Sequence, residues 1–204
     1  MEYLILGFFT GLSLILAIGA QNIFVIEQGL KKQYVFLVCL ICSLSDLLLI
    51  FFGIFLFHFF HQYFNLFVEF TLNILLIIFL IYFIYSKIKS IKRNISFNSE
   101  VKDISKLEIS LRTLGFTYLN PHVYSDTVFF LGNFSKNFLL DEKIYFGVGA
   151  SGASLIFFFL LGYLSTYFSK YAQSDKIWKL INFFIVGFMS LLTIYIIKET
   201  AYFL

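Results

Sequence analysis

The stretch TYLNPHVYSDT, Thr117 to Thr127, contains Pro121, the only proline in 204 residues, with Asn120, His122 and Asp126 beside it. Hydrophobic sequence runs on both sides, so a helix-breaker and an acid sit in the middle of a segment long enough to cross a bilayer. Proline in a helix removes a backbone donor and frees a carbonyl one turn earlier, here near Thr117. In lipid such groups need partners, so a break at this depth is tolerated only where it is buried or lines water.

The rest of the chain favours lipid as its solvent. Hydrophobic residues make up 60%, aromatics 22% and charged residues 13%, with phenylalanine at 30 positions. A soluble domain carries roughly 25% charged residues. The net charge of +3 is less informative than its distribution. The basic residues lie in loops between apolar runs, which argues against nucleic acid as a partner. Six windows reach the roughly 20 residues a spanning helix needs: about 3–26, 34–57, 64–86, 111–132, 144–168 and 177–198. Residues 87–110, KIKSIKRNISFNSEVKDISKLEIS, form a polar linker, too short and too polar to fold alone. At its end Ser105 to Glu108 has the S-x-x-E pattern of a capping box. The chain is therefore read as one transmembrane domain, 1–204, all-α, with six transmembrane helices. Ala17 and Gly19 offer cleavage-like small residues, but no positive region precedes them, so the first segment is expected to stay.

Lysine and arginine set orientation. Of the 15 basic residues, twelve fall on one side of a six-span arrangement: Lys31, Lys32, Lys87, Lys89, Lys92, Arg93, Lys102, Lys106, Arg112, Lys170, Lys176 and Lys179. Lys136, Lys143 and Lys198 fall on the other. The richer side, with loop 87–110, belongs in the cytoplasm, which puts both termini outside. If one of the first three segments does not cross, the N-terminus moves inside and the C-terminus stays periplasmic.

The linker divides the chain into half-repeats of about 1–86 and 111–204, three spans each. Three is odd, so the second half enters the membrane inverted, as in the 3+3 inverted repeats of secondary transporters, whose sites lie at broken helices near the midplane. The counterpart of Asn120–Pro121–His122 is then Gly19-Ala20-Gln21-Asn22 in the first span, and helices 1 and 4 are the broken ones. At 1.5 Å per residue, Asp46 lies roughly 18 Å into a second span of about 36 Å. Asp126 lies roughly 7 Å beyond Pro121 by the same arithmetic. An aspartate at the centre of a spanning helix costs about 2.5–3.5 kcal/mol, and such residues usually face a bundle interior or a wet cavity. Two of them are hard to explain as packing. His122 and Asp126, four apart, share a helical face and can influence each other's protonation. Taken alone, Pro121 reads as a structural kink and His122 as a packed, hydrogen-bonded residue rather than a proton relay. Glu69 and Glu27 read as solvated charges near span ends. Gly7 and Gly11 make G-x-x-x-G, and GVGASGAS, Gly147 to Ser154, offers a flat face; both suit close helix packing, or a fifth span that rocks against its neighbours.

The run GLSLILAIGAQNIFVIEQGLKKQY, the following CSLSDLLLI, and LNPHVYSDTVFFLG resemble the LysE-type lysine and arginine exporters, the last most closely the arginine-exporter branch. Spacing agrees along essentially the whole chain. The resemblance implies an inner-membrane carrier that moves basic L-amino acids out of a bacterial cell. It further implies that the branch's functional aspartate pair corresponds to Asp46 and Asp126. Its helix-break motifs correspond to Gly19, Gln21 and Asn22, and to Asn120 and Pro121; His122 also matches that branch. The family usually has proline after the motif glycine, where this chain has Ala20. The first break is then either less sharp or rests on Gly19 alone.

The chemistry agrees with a cationic substrate: an ammonium or guanidinium in a low-dielectric cavity needs a carboxylate, and a guanidinium can engage one through two parallel hydrogen bonds. One aspartate would bind the side-chain cation while the other exchanges protons, or the two would alternate. No P-loop supplies ATP energy, so the proton motive force, or another coupling ion, is the expected drive. No enzyme chemistry, cofactor or metal is implied, and oligomeric state is open, a homo-oligomer included. Two other classes stay in view. Cys39-Leu-Ile-Cys42 is a C-x-x-C that would suit a thiol–disulfide relay, although reactive pairs need surroundings that favour thiolate. A divalent-metal exporter would find soft ligands in the same cysteines but no obvious third one.

Overall fold

Backbone groups in lipid must be satisfied within the segment itself, so apolar runs of this length fold as helices. The computed structural model describes residues 1–16, 19–63, 66–92, 104–172 and 174–201, and no strand occurs among them. In chain order the elements are α1 (Glu2–Ile15), α2 (Ala20–Lys31), α3 (Val35–Tyr63), α4 (Leu66–Lys92), α5 (Lys106–Tyr118), α6 (Pro121–Tyr124), the π-helix π1 (Ser125–Phe130), α7 (Leu131–Phe134), α8 (Leu140–Ala172) and α9 (Asp175–Ala201). Among the described residues, three stretches are long and apolar enough to cross a bilayer unaided: Val35–Phe55, Leu140–Tyr171 and Lys179–Lys198. α1 and α2 qualify together as a bent pair. The two other expected spans fall on α4 and on the interrupted unit from α5 to α7.

Helix α8 is the strut of the molecule, contacting α1, α2 and α3, while α9 packs on α4 and α3 packs on α5, π1 and α7. Small residues permit the closest of these approaches. A Cβ on Gly7 would strike the Phe146 carbonyl, one on Gly149 the Leu4 carbonyl, and one on Gly11 would lie 2.9 Å from the Ala150 Cα. The packing reading of GVGASGAS and of Gly7 and Gly11 is thus what the contacts display. The two broken units meet where Phe24 of α2 stacks on Phe116 of α5, ring centroids 4.6 Å apart, and Phe79 of α4 meets the same ring edge-on at 4.9 Å. These rings belong to one buried apolar cluster; a second gathers Ile50, Ile54, Leu131, Phe146 and Ala150 around the N-terminal part of α8.

The polar linker is shorter than the sequence implies. α4 continues through Lys87 to Lys92 and α5 starts at Lys106, because Lys and Ser interrupt an apolar run without interrupting a helix; residues 93–103 lie outside the described residues. The capping box forms by half. Ser105 Oγ accepts from the Glu108 N–H at 3.1 Å, while the Glu108 carboxylate turns to Arg112 at 2.6 Å, one turn on. The side chain of Glu69 lies outside the described residues.

Candidate functional site

The site is built on two breaks. Between α1 and α2 the helix axis turns by 84°, so Ala20 in place of proline does not leave the first break shallow. Gly19 has extended backbone (φ −118°, ψ −177°) that any residue adopts, and a Cβ there would meet nothing within 4 Å. Its geometry demands no glycine. What closes the break is Asn22, whose amide Nδ2 donates to the Ile15 carbonyl at 3.1 Å. That carbonyl is one of the four a helix leaves unsatisfied at its C-terminal end.

The second break is handled in the same manner. α5 stops at Tyr118, and Pro121 opens α6, where proline's missing N–H costs nothing. Helix 4 is thus broken, as expected, with Pro121 the first residue of a new helix rather than a bend in a continuous one. The freed end is satisfied from downstream: the Tyr124 hydroxyl donates to the Tyr118 carbonyl at 2.9 Å. Asn120 is buried in the break itself, and its carbonyl accepts from the Val123 N–H at 3.2 Å. From Ser125 the chain winds as a π-helix through Phe130, the wider turn often found at functional positions. The i, i+4 reading of His122 and Asp126 assumed α-helical winding throughout, which the π-turn ends at Ser125. The side chains of His122 and Pro121 lie outside the described residues.

Helix α3 carries the acid. Cys39, Cys42, Asp46, Ile50 and Gly53 are spaced three or four apart, which places them along one face. Each meets a different neighbour. The Cys39 thiol donates to the Phe158 carbonyl of α8 at 3.2 Å. Cys42 faces the side chains of Gln21 and Thr117, one from each broken unit. Asp46, 3% exposed, accepts from the Ser154 hydroxyl of α8 at 2.7 Å on Oδ2. At Gly53 the backbone of π1 comes so close that a Cβ would lie 2.6 Å from Val128 Cα. Asp126, half-buried on π1, is near enough that its charge acts on Asp46.

The level of this group in the fold follows from α8. α1 packs around Phe146 and Ala150, α2 around Gly162 and Ser165, so the break between α1 and α2 lies beside the intervening Ser154. Gln21, Asn22 and Asn120 are all buried there, and Gln21 Nε2 has no hydrogen-bond partner. The structure therefore brings Gln21, Asn22, Asp46 and Asn120 to the breaks with Asp126 at electrostatic range. It adds Ser154 and Tyr124, which sequence reasoning did not single out, and the side chains of Thr117 and Cys42, which it did not assign to this site. Both cysteines are fully buried, so neither sulfur is presented to a partner thiol. Among the described residues, no three His, Cys, Asp or Glu side chains gather as a metal site requires.

The model of the LysE type translocators matches residues 12–200. The chain belongs to that family. This translocator is 33% identical over 180 residues to the arginine exporter protein ArgO of Pectobacterium carotovorum subsp. carotovorum (strain PC1), covering 88% of each chain. It is 31% identical over 200 residues to the arginine exporter protein ArgO of Salmonella paratyphi A (strain ATCC 9150 / SARB42), covering 98% of this chain and 95% of that one. No solved structure matches it. Family and apolar helices together make this translocator a multi-pass membrane protein, and its relatives are transporters rather than enzymes.

One sequence expectation is corrected near this site. Glu27 is no solvated span-end charge: it lies near the C-terminal end of α2, 1% exposed, and pairs with Lys31.

Proposed function

We propose that this translocator exports basic L-amino acids, arginine and/or lysine, across the bacterial inner membrane, driven by protons moving inward. The observation that carries the reading is the Asp46 carboxylate, buried at the level of two broken helices and within the field of Asp126. A carboxylate costs several kcal/mol to bury, and one neutral hydroxyl from Ser154 is a weak partner for it. A substrate ammonium or guanidinium is a strong one. In this reading one aspartate receives the side-chain cation and the other carries the exchanged proton, with Gln21, Asn22, Asn120 and His122 lining the pocket and Gly19 and Pro121 marking the hinges. The arginine exporters among its relatives support that substrate class.

The same proposal includes six spans in a 3+3 inverted repeat of one domain, residues 1–204, with halves of about 1–86 and 111–204, loop 87–110 in the cytoplasm and both termini outside. It is supported by the packing of Tyr3 on Phe138, ring centroids 4.9 Å apart, which puts the N-terminus beside the turn that precedes α8. Inverted membrane vesicles test the function: uptake of radiolabelled arginine, lysine and a neutral amino acid is compared with and without a proton gradient. Gradient-dependent uptake of the basic amino acids alone is expected. Asp46→Asn and Asp126→Asn should each abolish it while leaving folded protein in the membrane. Comparable transport of the neutral amino acid, or wild-type efflux from either variant, would overturn the reading.

A further inference from the structure

The second half of α2 holds polar groups that the Asp46 site does not use. Lys31 Nζ lies 2.7 Å from Glu27 Oε1, and their side chains are only 4% and 2% exposed. Replacing a buried ion pair by apolar residues is often neutral or stabilising, so fold stability is a poor reason for this one. Beside it Gln28 is 1% exposed, and neither its Nε2 nor its Oε1 has a hydrogen-bond partner. An orphaned amide in a protein interior is costly unless something fills it. Across the interface Gly29 packs on Gly162 and Ser165 of α8. Ser169, one turn past Ser165 on the same face, is buried with its Oγ likewise unpartnered.

These groups match one kind of guest. A carboxylate suits a side-chain cation, and an amide with a free donor and a free acceptor suits an α-carboxylate and an α-ammonium. The connection to the central site is direct. Gln21, whose Nε2 is also without a partner, precedes Gln28 by seven residues on the same face of α2, roughly 10 Å at 1.5 Å per residue. Gln21 in turn faces Cys42, one turn from Asp46.

We propose that Glu27 and Gln28 form a second station for the cationic amino acid, nearer the Lys31–Lys32 end of the molecule, with the Lys31 ammonium standing where the substrate's cation binds. The substrate displaces Lys31 from Glu27, then passes along the Gln28–Gln21 face to Asp46. This inference rests on the reading of the chain as an exporter of basic amino acids.

The test combines equilibrium binding of radiolabelled arginine to the purified full chain with transport kinetics in inverted vesicles. Glu27→Gln removes the carboxylate but strands the Lys31 charge. The double variant Glu27→Gln, Lys31→Met removes both charges and needs no buried unpaired ion. Two arginines bound per chain are expected for the wild type, and one each for the double variant and for Asp46→Asn. Losing the charge-assisted contact should raise the double variant's KM about tenfold or more with kcat little changed. A neutral pair that keeps the wild-type KM and both bound arginines would make the ion pair structural and overturn the second station. So would a single arginine per wild-type chain, lost in Asp46→Asn alone; that result leaves the export reading intact. A wild type that binds neither arginine nor lysine would overturn both.

Discussion

Among the described residues, one side-chain hydrogen bond fixes the direction of Asp46, from the Ser154 hydroxyl at 2.7 Å. A hydrogen bond to a charged group contributes about 1.5–3 kcal/mol. If that bond holds the carboxylate toward the substrate, Ser154→Ala should raise the KM for arginine roughly 10- to 100-fold, since each 1.4 kcal/mol is a factor of ten. Uptake kinetics in inverted vesicles measure this, and an unchanged KM would remove Ser154 from the site. The two aspartates were legible in the sequence because depth alone makes a membrane carboxylate conspicuous. Ser154 was not. In GVGASGAS it is one small residue among several, and only the meeting of α8 with α3 selects it over Ser151. Glu27 misled for a related reason. Its position near a span end says solvated, and its burial is a tertiary fact. The i, i+4 spacing to Lys31 was the signal on offer.

At the scale of the helices, each break is closed by a side chain reaching back across it, Asn22 to Ile15 and Tyr124 to Tyr118. Removing such a donor leaves a buried carbonyl unsatisfied, which costs about 1–3 kcal/mol. Tyr124→Phe should therefore lower stability by that amount, read as a reduced thermal midpoint in detergent, with the ring packing kept. The turn between α2 and α3 has the opposite kind of lever. Lys32 ends α2 in the left-handed region, φ 54°, where its N–H bonds to the Gln28 and Gly29 carbonyls. An L-residue is strained there and glycine is not, so Lys32→Gly should stabilise by about 0.5–1 kcal/mol after glycine's entropy cost. Lys32→Ala, which keeps the Cβ, should show no gain; equal midpoints for the two variants would refute the strain argument. Proline and the polar cluster made the second break readable in advance. Its form was not, because a lone proline is compatible with a kink or with the first residue of a new helix. The choice depends on what satisfies the upstream carbonyls, here a tyrosine six residues along. The π-turn through Asp126 left no sequence signal: SDTVFF holds no proline or glycine to mark a change of winding.

For the molecule as a whole, packing constrains sidedness more tightly than charge counting. Tyr3 sits on Phe138 and Gly7 against Phe146, so the start of α1 and the start of α8 lie at one end of the bundle. Gly29 against Gly162 and Ser165 puts the α2–α3 turn beside the far part of α8, toward the other end. The basic residues follow the same division, with Lys136 and Lys143 at the first end and Lys31, Lys32 and Lys170 at the second. Since the lysine-rich end faces the cytoplasm in bacterial membrane proteins, Lys136 and Lys32 should lie on opposite faces of the membrane. Both are exposed, whereas Cys39 and Cys42 are fully buried, so the native thiols make a quiet background for labelling. A membrane-impermeant maleimide should react with Lys136→Cys in intact spheroplasts and with Lys32→Cys only in inverted vesicles. The reverse pattern would put the Lys31–Lys32 end outside and overturn the assignment of loop 87–110 to the cytoplasm. Labelling of both from one side would deny that α1, its break and α2 together cross the membrane, and with that the placement of the break at the depth of Asp46.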